Sequence, residues 1–254
     1  MAFAVCTLSA VSILESPEFS AKRIYELLFG ETLAIVEKGK AWCQVQLPEG
    51  NQKGWIMEGQ YEIVDEPACL AQIVDDVGGY ALTGTDATIE LYHGSPLPVS
   101  MKLQTDRSEY RFLGEGRLTE ATFDVARDRQ LLEDFVVTYL HTPFLYKGRT
   151  KHGLDAVGLC DLFYRQFGVA IGNQMESILD LGNPVNLIAE IKDGDIAFFE
   201  DDQGEINHLG IVISQNEILH VVEKVRIDTL DNQGVFNSDR QELTHKLSIV
   251  KRLF

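Results

Sequence analysis

"GLDAVGLCDLFYRQFG", residues 153–168, reads as a helix that begins at a tight turn. Gly153 supplies the turn, Asp155 is a good N-cap, and Gly168 sits where a helix stops. The N-terminal end of a helix is electropositive and lowers the pKa of a thiol placed there. Here the first helical residue is Ala156, and the nearest thiol, Cys160, lies one turn further in. The stretch is therefore an active-site helix without its nucleophile, one with the nucleophile moved, or an ordinary core helix.

Composition bounds the rest. A chain of 254 residues is long enough for one large domain or two to three small ones. Its 45% hydrophobic and 24% charged residues are ordinary for a soluble globular protein. A formal net charge of -17 with no basic run argues against nucleic acid and anionic membrane surfaces as partners. No stretch is long and apolar enough for a transmembrane helix. The opening "MAFAVCTLSAVSILESPEFS" lacks a basic leader region and alternates like a strand. The mature protein is thus expected in the cytoplasm, or exported with its signal already removed. Cys6, Cys43, Cys69 and Cys160 show no paired spacing and read as free, mostly buried thiols.

Residues 1–65 carry short alternating runs, "AVCTLSAVSIL", "ETLAIVEKG", "AWCQVQLPEG" and "KGWIMEG", punctuated by Gly, Pro and Asn. Such close, short strands predict a small β-barrel. The order Gly30, Trp42, Gly54, Trp55 resembles a bacterial SH3-like domain. Trp42 is expected in barrel packing, and Trp55 either there or along a groove. Residues 66–125 repeat the texture in "YALTGTDATIELYHG" and "YRFLGEGRL", which predicts a second, divergent SH3-like β domain. His93, beside a Gly-Ser-Pro turn, is expected at the surface.

From residue 126 onward the period changes. In "DRQLLEDFVVTYLHTPF" apolar pairs recur at helical spacing up to Pro143. A short helix is expected over 173–181. Strands return in "DIAFFED", "HLGIVIS", "EILHVVE" and "LSIVKRLF", with "DDQGEIN" and "SQNE" as hairpin turns. Helices followed by an antiparallel meander make an α+β domain. A turn centred near Ser214 would set His208 opposite His220 on one face. Two such histidines beside a helix end are the frame of a thiol protease, with one as base and the other orienting it. A metal site is the weaker reading, because no third ligand stands at useful spacing. Buried structural histidines are the default for each residue taken alone.

The segments "TPFLYKG", "GLDAVGLC", "KDGDIAFF", "NHLGIVI" and "ILHVV" resemble, in order, the NlpC-type, papain-like family of cell-wall peptidases. With the β domains in front, the whole chain is similar to the γ-D-glutamyl-diamino-acid endopeptidase branch, which trims muropeptides. The resemblance implies a papain-like domain over 126–254 preceded by two SH3-like β domains, and it implies no cofactor. It implies His208 as the base, His220 as the orienting residue, and Asp155 as a group binding the substrate's free amino end. Phe144 and Tyr146 fall where the family has Tyr and Trp of its substrate-side motif.

The departures lie at the chemistry. The nucleophilic Cys falls on Ala156, the following Ser on Val157, and a Gly on Lys147. The family's polar "P-R-D-A" segment is replaced by "GNQM", Gly172 to Met175, and the small residue after the second histidine is Val221. Removing the nucleophile of a serine protease costs on the order of 10⁶ in kcat, or ~8 kcal/mol. Moving a thiol four residues shifts it ~6 Å along the helix axis, out of reach of its base. Cys160 therefore reads as a small apolar residue on the buried face. The expectation is a non-catalytic homologue that still binds a peptidoglycan-derived peptide or a protein partner. Two alternatives stand beside it. One is an active peptidase, with Cys160 displaced or Ala156 introduced by engineering; the other is a scaffold that binds through its β domains. The oligomeric state is left open.

Overall fold

A computed structural model describes residues 2–48, 51–67, 72–74, 79–83, 87–113, 116–118 and 124–254. Cys69 lies outside them. The chain divides into two compact units, Met1–Thr119 and Glu120–Phe254.

The first unit opens with β1 (Phe3–Cys6), β2 (Ala10–Leu14), β3 (Arg23–Leu28), β4 (Thr32–Lys38), β5 (Trp42–Gln46), β6 (Lys53–Met57) and β7 (Tyr61–Val64). They form one sheet in the order β3-β2-β6-β5-β4-β1-β7. Period-two alternation buries one face, with Val11, Ile13, Cys43, Val45 and Ile56 in the core. Gly54 is required there: a Cβ would stand 2.3 Å from the Ile13 side chain. Trp42 is not in that core. It flanks buried Cys43 in β5, so the pleat turns it to the outer face, edge-on to Phe19 at 5.6 Å.

Next come β8 (Gln72–Val74), β9 (Gly79–Leu82), β10 (Thr88–Leu91), β11 (Lys102–Gln104), β12 (Glu109–Leu113) and β13 (Gly116–Leu118). They make a four-stranded sheet β10-β9-β12-β11 and a β8–β13 pair. Phe29, from the first segment, packs edge-on against Tyr110 and Phe112 at 5.4 and 5.8 Å, so the two β segments share a core. His93 is buried, not a surface group. The turn after it folds inward: Val74 N–H donates to Ser95 O, and Gly94 N–H to Val74 O.

The second unit starts with α1 (Val125–Tyr139), whose N-cap Asp124 accepts from Arg127 N. Leu132, Phe135 and Tyr139 form its buried stripe. A small hairpin, β14 (Arg149–Thr150) and β15 (Gly153–Leu154), precedes α2 (Ala156–Arg165) and α3 (Met175–Leu179). Phe135 meets Phe163 of α2 at 5.4 Å and fixes the two helices together. Seven strands follow: β16 (Asn183–Val185), β17 (Ile196–Glu200), β18 (Ile206–Ser214), β19 (Glu217–Val221), β20 (Val225–Leu230), β21 (Gly234–Asn237) and β22 (Glu242–Arg252). Their order is β16-β22-β17-β18-β19-β20-β21, and β21 pairs back onto β22. The long last strand therefore closes the sheet on itself. Its first half lies along β21 and its second along β17 and β16. The α+β expectation for this unit matches this arrangement of helices and antiparallel strands. Among the described residues no helix is long and apolar enough to cross a membrane.

Candidate functional site

The α2 helix begins as its sequence demands. The Asp155 carboxylate accepts from Gly158 N at 2.8 Å and from Lys147 N at 2.9 Å, so both oxygens are held by backbone donors. Gly158 has no room for a side chain, since a Cβ would lie 2.1 Å from Gly148 O. Gly153 is not the turn residue. Thr150 pairs with Gly153, which puts Lys151 and His152 at the turn; a Cβ on Gly153 would strike Leu145 at 2.6 Å. Gly168, at φ +73°, does end the helix.

Every residue of α2 is buried. Ala156 and Val157 keep 9% and 8% exposure, whereas Cys160 keeps none. Burial pushes the Cys160 thiol well above its ordinary pKa, and the nearby Asp155 and Asp161 carboxylates add to that. A protonated, enclosed thiol is neither a nucleophile nor accessible to substrate.

The segment that the resemblance put on the substrate side forms the loop before β14. Phe144, Leu145 and Tyr146 are each more than two-fifths exposed. Phe144 N–H donates to Glu223 O, which ties the loop to the turn after β19. Lys147 adopts φ +55°, and its ammonium donates to Asn173 O at 2.8 Å. Two departures from the family pattern, Lys147 and the Gly172–Met175 segment, thus hold one another.

On the sheet, α2 packs against β18 and β19. The histidines of these strands share a face, but His220 stands opposite Gly210 and not opposite His208. An irregularity between Val212 and Ser214 moves the turn towards Gln215 and Asn216 and shifts the register. The two rings meet diagonally instead. His208 Nε2 and His220 Nδ1 are 2.9 Å apart. Gly210 makes that crossing possible, because a Cβ there would lie 2.9 Å from the His220 Cβ.

Sequence reasoning missed what stands behind and beside this pair. His220 Nε2 reaches Asp228 Oδ2 at 3.0 Å. Arg226 grips Asp228 with two bonds of 2.6 and 2.9 Å, and also reaches Asp239. Burial pushes the Asp228 carboxyl up, but hydrogen bonds from His220 and Arg226 outweigh it and hold its pKa below the usual range. An ionised Asp228 accepts only, so it fixes His220 as the Nε2–H donor. With that hydrogen on Nε2, His220 Nδ1 is the acceptor for His208 Nε2–H, which leaves His208 Nδ1 as the free base. An R-x-D pair was the available sequence signal, since period two puts Arg226 and Asp228 on one face of β20.

The second omission is His245, carried to the same face by β22. Its ring stacks on His208 at 4.2 Å and stands edge-on to His220 at 5.6 Å. Burial and the neighbouring imidazoles lower the His208 pKa well below its usual value, and burial with His220 lowers that of His245 to about 4. The absence of a third ligand, which weighed against a metal, is therefore overturned. One ligand atom from each of His208, His220 and His245 lies within 4.8 Å of the others.

The β unit has a cavity of its own, about 280 Å³, lined in part by Pro67, Pro96, Pro98, Val99 and Phe112.

Comparison with known proteins agrees with this fold. Residues 141–242 match the NlpC/P60 family and residues 9–61 the bacterial SH3 domain. The chain is similar to dipeptidyl-peptidase 6 of Lysinibacillus sphaericus, 22% identical over 96% of both chains. Its fold resembles an NlpC/P60 family protein from Bacillus cereus ATCC 10987, with a TM-score of 0.76 and 16% identity over 99% of both chains. It also resembles an NlpC/P60 endopeptidase from Photobacterium damselae subsp. piscicida, with a TM-score of 0.66 and 13% identity over 98% of this chain and 70% of that one.

Proposed function

Because the chain carries an NlpC/P60 domain behind a bacterial SH3 domain, we propose that it is a non-hydrolysing homologue of the γ-D-glutamyl-diamino-acid endopeptidases that still binds their class of peptide. One observation carries the reading. Ala156 occupies the first position of α2, where the nucleophile belongs, while the relay His208–His220–Asp228–Arg226 is complete. A base and its orienting groups without a thiol have nothing to deprotonate. The enclosed Cys160 supports the same reading against a displaced nucleophile. The bond between Lys147 and Asn173 O supports a natural site over an engineered Ala156, because a designed change would leave its surroundings as they were.

The experiment pairs binding with turnover. Calorimetry with L-Ala-γ-D-Glu-diamino acid tripeptide should show binding, and incubation should show no cleavage. Cleavage that a His208→Ala change abolishes would overturn the assignment. An alkylating probe should leave Cys160 unmodified in the native protein at pH 8 and modify it after denaturation. Native labelling would favour the displaced nucleophile instead. The cavity of the β unit supports the scaffold as a second reading, under which peptide binding would survive disruption of the His208 face but not substitution of Pro98 and Val99.

A further inference from the structure

The peptidase relay accounts for His208, His220, Asp228 and Arg226, and leaves His245 without a task. We propose that His208, His220 and His245 form a three-histidine site for a divalent transition ion of the zinc class, with one coordination position left open. The inference does not depend on whether the protein binds peptide.

Geometry carries it. Three imidazoles from β18, β19 and β22 bring one ligand atom each to within 4.8 Å of the others. Tetrahedral coordination at about 2.0–2.1 Å sets ligand nitrogens about 3.3 Å apart. The His208–His220 contact of 2.9 Å must therefore open slightly, and the His245 ring must move inward. His245 is only half-buried, which makes it the ring with least packing to displace.

Each ring but one is also held from outside the cluster, as metal-bound imidazoles are. Asp228 accepts from His220 Nε2–H, which leaves Nδ1 directed at the centre. Thr244 Oγ1 lies 2.9 Å from His245 Nδ1 and 3.3 Å from Val235 O. A hydroxyl that donates to Val235 accepts from Nδ1–H, so the His245 lone pair is on Nε2. That nitrogen has no hydrogen-bond partner among the described residues. His208 completes the set by carrying its proton on Nδ1 in place of Nε2, a tautomer change that releases no proton. Imidazole-rich sites suit zinc, copper and nickel over the hard oxygen-seeking cations. Three protein ligands leave a fourth position for water.

The test uses the full chain, stripped with a chelator and titrated with zinc chloride by calorimetry. Cobalt(II) loading is the spectroscopic counterpart. The expected result is one equivalent of zinc per chain and the intense visible absorption of tetrahedral cobalt. H245A should weaken zinc binding at least about 100-fold, T244V about tenfold, and H152A, outside the cluster, not at all. T244V keeps all three ligands, so it decides the matter if H245A fails to fold. No zinc uptake by the wild-type chain, or uptake by the folded H245A and T244V variants equal to that of the wild type, overturns the site.

Discussion

The N-terminal end of α2 and the histidine-bearing face of the closed sheet have opposite characters. At the helix end the scaffold is intact: Asp155 caps the helix, Gly158 admits the backbone of Gly148, and Ala156 retains slight exposure. Its first residue, Ala156, carries no nucleophilic side chain. On the sheet the polar side chains form one connected set, and a third imidazole has joined them. His208, His220, Asp228 and Arg226 form an unbroken chain of bonds, and His245 stacks on its first member. A helix end is kept by capping and packing whether or not it reacts, because these stabilise the fold by themselves. A buried polar chain is different. Each member left without its partner is destabilising, so its completeness is a structural requirement as well as a chemical resource.

The largest test of that contrast restores the missing half. Ala156→Cys should raise tripeptide hydrolysis by at least ~10³-fold over the wild type if the helix end still presents its first residue to the relay. Adding His208→Ala should remove the gain. A folded Ala156→Cys protein without activity would show that Lys147 and Asn173 have reshaped the helix end along with the lost thiol.

Next in size is the polar chain itself. Asp228→Ala leaves Arg226 and the buried His220 N–H without their acceptor and should cost about 3–5 kcal/mol, read by chemical denaturation. Asp228→Asn, which keeps an acceptor oxygen, should cost less. If the two variants were equally stable as wild type, the relay would be ornamental to the fold. Gly158→Ala probes the helix end by contrast: its Cβ meets backbone oxygen, and we expect a loss of about 1–3 kcal/mol.

The smallest effect is a pH dependence. His208 and His245 titrate lower in the folded protein than in the unfolded chain, so the unfolded chain binds more protons between the two values. Stability contributed by their neutral forms is present above about pH 6.5 and is lost as pH falls towards the folded values, about 4 for His245. The melting temperature should fall between pH 7.5 and pH 5, and less steeply in His245→Gln. Asp228 acts in the same direction further down, as pH falls through its lowered pKa. A melting temperature that rises on acidification would contradict the buried neutral cluster.

How much of this could be read from the chain differs between the two regions for a physical reason. The helix end is local. An Asp before an apolar run and a Gly where the helix stops are written in consecutive residues, although the turn expected at Gly153 fell on Lys151 and His152 once β14 and β15 paired. The sheet face is not. Alternation placed His208 and His220 on one face, but the irregularity near Ser214 displaced their register by sterics that no spacing rule contains. Asp228 was missed although Arg226 and Asp228 share a face of β20, because which face that is depends on how β20 pairs. His93 went to the wrong side of the surface because an inward-folded turn carried it in, whereas Trp42 packs half-buried against Phe19 on the outer face of β5.

By itself, the sequence determined the elements, the capped helix and the Ala at its first position, since propensity, capping and alternation act over a few residues. Only the tertiary structure decided which imidazoles meet. His245 reaches His208 because β22 pairs with β21 along one half and β17 along the other, closing the sheet over the site. Closure is a property of the whole set of strand registers, fixed by burying the apolar faces of all of them at once.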